Sequence, residues 1–235
     1  MHLILFDHII QLDSLAPVID LLRKEKNKII ILNTNPLYNY NNNKLIKYFK
    51  DKDIKFISFP STNLINKIKI LFLKLITLLP KKQLLKFTGL WFRVGNGHYL
   101  DKDEFIKFIK ENDIKIVSIP NDLTLKKKVF INECKQTINF LIIEIEVGLR
   151  TIKTSPYGSN FPIEYCDYYI APNNLHEMQK DPKARNKMKY LGCLRYSNQW
   201  IKKLDEINKF DENSQSGKIK LAIFLQTGHL YKDTE

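Results

Sequence analysis

The chain is expected to fold as an α/β protein built on a doubly wound, mostly parallel, Rossmann-like sheet. Three observations predict this. Short continuous apolar runs, rich in β-branched residues, alternate along the chain with longer amphipathic stretches. A strand covered on both faces reads as such an unbroken run, whereas a strand with one wet face alternates apolar and polar residues. Apolar residues make up 44% of the 235 positions, enough for one large core.

The elements follow in order. "HLILF" (2–6) is the first strand, and "DSLAPVIDLLRKEK" (13–26) a helix with Asp13 or Ser14 as its cap and Leu15, Val18, Ile19 and Leu22 on one face. "KIIIL" (28–32) is the second strand, closed by the turn-forming "NTNP". "NKLIKYFKDK" (43–52) is helical and "IKFISF" (54–59) the third strand. "DKDEFIKFIKEN" (101–112) is a helix before strand "IKIVSI" (114–119), and "LTLKKKVFINECKQ" (123–136) a helix before strand "NFLII" (139–143). "DYYIAP" (167–172), "KMKYLG" (187–192) and "KLAIFL" (220–225) read as three further strands. Residues 1–208 form the Rossmann-like domain and the polar 209–217 a linker. Residues 218–235 read as the first strand of a second domain that the chain leaves incomplete.

The stretch 63–87 breaks the alternation. Leu64, Ile68, Leu71, Phe72, Leu75 and Leu79 recur at helical spacing among Lys67, Lys74, Lys81, Lys82 and Lys86. Such a helix either packs its stripe on the domain or lies on an anionic membrane surface.

Composition removes several classes. The N-terminus has no basic start or small-residue cleavage site, and no apolar run approaches a spanning length. Cys134, Cys166 and Cys193 are too scattered for a disulfide framework or a zinc site, and suit a reducing compartment. Dinucleotide, P-loop, serine-hydrolase and zinc-protease signatures are absent from the sequence. The net charge of +13 and pI near 9.5 favour anionic partners, though Lys-rich coding bias inflates both. No recognisable nucleic-acid-binding pattern accompanies the charge.

Open parallel sheets bind ligands beyond the carboxyl ends of their strands. Three such ends carry chemistry: Asp7 and His8 after the first strand, Asn121 and Asp122 after the fourth, and Glu144, Glu146, Gly148 and Arg150 after the fifth. Alternation would bury one of two glutamates in a strand, so Glu144 and Glu146 are expected where the strand has already left the sheet. Gly148 allows a tight turn or close ligand approach, and Arg150 a bidentate grip on phosphate or carboxylate. Plainer readings compete: Asp7 and His8 as strand terminators, Asp122 as the cap of the helix at Leu123, and Glu146–Arg150 as a structural ion pair.

"EIEVGLRT" (144–151) resembles the "HVEAGLR" segment of the non-hydrolysing UDP-N-acetylglucosamine 2-epimerases. "VSIPNDLT" (117–124) resembles that family's strand and Gly-Asp-Thr turn, and "DYYIAPNNLHEM" (167–178) its "D…APT" pattern. Glu144, Val147 and Asn121 stand where the family has histidine, alanine and glycine. "YLGCLRYSNQWI" (190–201) is more similar to the "GS-x-R-[FY]-x-x-x-W" stretch of bacterial capsule and lipopolysaccharide glycosyltransferases of the GT-B architecture.

That resemblance implies a cytoplasmic, acceptor-side domain of a cell-surface polysaccharide glycosyltransferase; the lysine-rich stretch 63–87, on its membrane-surface reading, would place that domain at the inner face of the membrane. The nucleotide-sugar donor would be a substrate held by a second domain, the glycan acceptor lipid-linked, and no cofactor or metal is implied. A domain without its donor half would be inactive alone. Glu146 is the first candidate for general base, Asp122 the second and His8 the third. Asp7, Asn121, Glu144, Gly148 and Arg150 would contact substrate. A sugar-nucleotide 2-epimerase using Asp122 and Glu146, and a non-catalytic membrane- or polyanion-binding module, are the alternatives.

Overall fold

The computed structural model describes residues 1–35, 43–58, 67–68, 70–72, 75, 100–146, 163–172, 182–192 and 194–207. Seven strands, β1 (His2–Phe6), β2 (Ile29–Asn33), β3 (Lys55–Ser58), β4 (Ile116–Pro120), β5 (Leu141–Ile145), β6 (Tyr168–Ala171) and β7 (Met188–Tyr190), form one sheet in the order β3-β2-β1-β4-β5-β6-β7. Every neighbouring pair is parallel. The first six strands follow the doubly wound 3-2-1-4-5-6 order, and β7 extends the β6 edge.

Six helices have both ends among the described residues: α1 (Ile9–Lys24), α2 (Lys44–Lys50), α3 (Lys102–Glu111), α4 (Leu125–Thr137), α5 (Pro182–Lys187) and α6 (Asn198–Ile207); residues 67–68, 70–72 and 75 are helical as well. Alternate strand residues face opposite ways, and the core divides accordingly. Leu3, Leu5, Val117 and Ile119 pack with Phe105 and Ile109 of α3 and with Ile131 and Cys134 of α4. Ile4, Phe6 and Ile31 pack on the other face with Leu12, Leu15 and Ile19 of α1, Phe49 of α2 and Trp200 of α6. Helices on both faces explain why the strands read as unbroken apolar runs.

Three sequence expectations are corrected. Helix α1 starts at Ile9 rather than near Asp13 or Ser14, because His8 caps it. The His8 ring accepts the N–H of Ile10 at 3.3 Å, and the Gln11 side-chain oxygen accepts the N–H of His8 at 3.3 Å. A His–Gln pair thus does the work of the usual Ser–Glu box. Asp13 lies inside the helix, in an ion pair with Arg195. Asp122 does not cap α4: the cap position is Thr124, without a side-chain bond, and the Asp122 carboxylate bonds elsewhere. Nor has the chain left the sheet at Glu144, which pairs within β5 against Ile119 and Tyr169. Both glutamates are buried, Glu144 at 2% and Glu146 at 9% exposure.

Helix α6 was not foreseen; Trp200 anchors it on the α1–α2 face. Gly148, Arg150, the linker 209–217, the strand expected at 220–225 and most of 63–87 lie outside the described residues. Among the described residues no helix is long and apolar enough to cross a membrane.

His2, buried within β1, reaches across to β4, its Nε2 lying 2.8 Å from Ser118 Oγ. Burial, aided by the charge of the amino terminus, lowers its pKa from 6.5 to about 4. Between those values the unfolded chain binds the extra proton and the folded one does not, so stability rises with pH there. Acidification from 6.5 to about 4 is therefore expected to remove up to about 3 kcal/mol through this residue. Urea midpoints followed across that window, wild type against His2→Gln, should show the loss in the wild type and a flatter profile in the variant.

Candidate functional site at the carboxyl edge

The strand order reverses between β1 and β4, so the loops after these two strands part and open a crevice at the carboxyl edge. Asp7 and His8 leave β1 on one side of it; Asn121 and Asp122 leave β4 on the other. Gln11, in the first turn of α1, ties the two sides together. Its buried side-chain oxygen accepts the backbone N–H of Asp7 at 2.7 Å, and its amide donates to Asp122 Oδ1 at 2.9 Å.

Behind this bridge the carboxylates are held by cations from one helix turn. Lys127, 1% exposed, donates to Asp7, which also accepts the hydroxyl of Thr34 from the end of β2. Lys128 donates to Glu144 Oε1 and to the Asn121 carbonyl, both at 2.6 Å. Burial pulls the Lys127 ammonium below the usual lysine range, and the Asp7 charge opposes the shift. Glu146, just past β5, accepts the Tyr169 hydroxyl at 3.1 Å, while its backbone N–H continues the sheet to the Ile170 carbonyl at 3.0 Å.

Of the sequence-derived candidates, the fold therefore brings Asp7, Asn121, Asp122 and Glu144 together through Gln11, Lys127 and Lys128, and leaves Glu146, just past the end of the same strand β5, with Tyr169 of β6. His8 stands exposed at the rim, its ring engaged in the α1 cap. Asp122 is the exposed acid of this network. Partial loss of hydration at the edge raises the Asp122 pKa above the ordinary aspartate value; the Gln11 amide, a backbone hydrogen bond and the Lys128 charge oppose the rise, and the Asp7 charge adds least to it. Beside the rim a groove of about 410 Å³, with Ile9, Ile10, Asn43 and Leu204 among its lining, runs between the starts of α1 and α2 and the end of α6.

Gln11, Thr34, Lys127, Lys128 and Tyr169 were missed by sequence reasoning. The lysines did leave a signal. Cations in the first turn of a helix oppose its dipole, and Lys127 shares a face with buried Ile131 and Cys134 at spacings of four and seven. Lysines so placed need carboxylate partners.

Neither a protein-family model nor a curated protein sequence matches the chain. Among the described residues no group of three or more His, Cys, Asp or Glu is arranged to hold a metal ion. The chemistry the edge offers is that of an accessible carboxylate of raised basicity, fixed by an amide and backed by two neutralised acid–lysine pairs.

Proposed function

We propose that this is the acceptor-side domain of a glycosyltransferase of cell-surface polysaccharide synthesis, acting at the cytoplasmic side of the membrane. The observation that carries the reading is the Gln11–Asp122 bridge across the β1–β4 crevice, which sets an exposed carboxylate where open parallel sheets take their ligands. In the reaction Asp122 accepts the proton of an acceptor hydroxyl as its oxygen attacks the anomeric carbon of the donor, and the nucleoside diphosphate departs. A raised pKa makes the ionised carboxylate a stronger base for that step. The Gln11 amide fixes the carboxylate, and the Lys127–Asp7 and Lys128–Glu144 pairs leave the neighbouring acids engaged, so that they do not compete for the same proton. Glu146 keeps a supporting place beside Tyr169. The nucleotide sugar is a substrate, held by a second domain; no cofactor or metal enters.

Backbone amide spectra of the chain, titrated separately with surface-type oligosaccharides and with nucleotide sugars, test the assignment. Glycans are expected to perturb residues 7–8, 11 and 121–122, with nucleotide sugars leaving them unmoved. Micromolar binding of a nucleotide sugar at that edge would instead favour an epimerase-like site.

A further inference from the structure

We propose that the helical face formed by Ile68, Leu71, Phe72 and Leu75 lies in the surface of an anionic phospholipid bilayer. These four large apolar side chains fall at spacings of three, four and seven, which is one face of a helix. All are more than half exposed, at 58%, 60%, 57% and 55%. Ile70, between them, is only half-buried, so the stripe is the more exposed side of the described part of the segment. Scattered exposed apolar residues need no explanation, but a contiguous stripe marks an interaction surface.

Charge selects the occupant. Between Asp53 and Asp101 the sequence holds eight lysines and arginines and no aspartate or glutamate. Lys67, exposed, adjoins the stripe directly. A second copy of this chain would set that positive stretch against itself. A bilayer containing acidic lipid accepts the apolar stripe in its acyl boundary and the cations at its headgroups together. Lys67, Lys69 and Lys74 interrupt the apolar run, which suits a helix lying in the interface rather than crossing it. The inference rests on this face alone and is independent of the enzymatic reading.

Sedimentation of the full chain with vesicles tests it, comparing phosphatidylcholine alone with phosphatidylcholine containing phosphatidylglycerol. The chain is expected to pellet with the acidic vesicles only, and less so at high salt. Leu71→Glu/Phe72→Glu should lower that partitioning at least about tenfold with an unchanged melting temperature. Lys67→Ser/Lys69→Ser/Lys74→Ser should lower it about fivefold for each lysine that reaches the headgroups. Equal pelleting with both vesicle types, or full retention by the glutamate variant, overturns the proposal. A collapse of the variant's melting temperature would assign the face to the core, and loss of a concentration-dependent dimer would assign it to self-association; either also overturns it.

Discussion

Replacing Lys128 by methionine is expected to destabilise the fold by about 3–5 kcal/mol, because it leaves a buried carboxylate without its counter-charge. Glu144 sits inside β5 at 2% exposure, its Oε1 taking the Lys128 ammonium at 2.6 Å. Water cannot replace that ammonium easily in the middle of a sheet covered on both faces. Single domains are typically stable by about 5–15 kcal/mol, so the loss is a large fraction of the whole. The contribution belongs to the broken state rather than to the pair. Exchanging both partners for apolar residues of similar size is often neutral or stabilising. Lys128→Met/Glu144→Leu is therefore expected to recover most of the stability lost by Lys128→Met, a strongly non-additive cycle. The exposed Lys107–Glu111 pair, 3.8 Å apart on α3, supplies the contrast: Lys107→Ala should cost at most about 0.5 kcal/mol. Urea midpoints of the wild type, Lys128→Met, Glu144→Leu and the double variant measure the cycle. A loss below about 1 kcal/mol for Lys128→Met would mean that Glu144 is readily protonated or solvated in place.

That pair also marks where sequence reasoning reached its limit. β1 and β2 were legible almost to the residue, because a strand buried on both faces can only be an apolar run. A doubly wound parallel sheet followed from the alternation of elements, and a Rossmann-like strand order, taken as a premise, placed Asp7, Asn121 and Asp122 at one edge. Glu144 was misplaced by the same logic: a glutamate in an apolar run argues for the end of the strand unless a cation is buried with it. The cation comes from Lys128, 16 positions earlier and in a different element. The segment "LKKK" reads as solvated charge until its helix is docked against the sheet. His8 as a cap was hidden for a related reason, since Ile9 and Ile10 precede Asp13 and make the first turn resemble the tail of a strand. Helix α6 had its signal in Trp200, Leu204 and Ile207, spaced by four and seven, within an otherwise polar stretch.

If the proposed glycosyltransferase reading holds, Asp122→Asn is expected to lower turnover of the enzyme with its donor domain by ~10²–10⁴, the usual effect of removing a general base. The substitution keeps size and keeps an oxygen for the Gln11 amide, and the residue is exposed, so the melting temperature should hardly move. A pH profile adds a readout that a merely structural role would not alter. Because the Asp122 pKa is raised above 3.8, kcat/KM of the wild type should fall on acidification in a limb displaced upward from the ordinary aspartate range. The residual activity of Asp122→Asn should lack that limb. Glu146→Gln provides the decisive comparison. Its buried side chain would still accept the Tyr169 hydroxyl through the amide oxygen, so it should fold, and turnover should stay within about tenfold of the wild type if Glu146 only supports the edge. The opposite pattern, with Glu146→Gln inactive at an unchanged melting temperature and Asp122→Asn active, would hand the proton transfer to Glu146. It would also require the chain beyond β5 to bring the acceptor hydroxyl to the β5–β6 side of the edge.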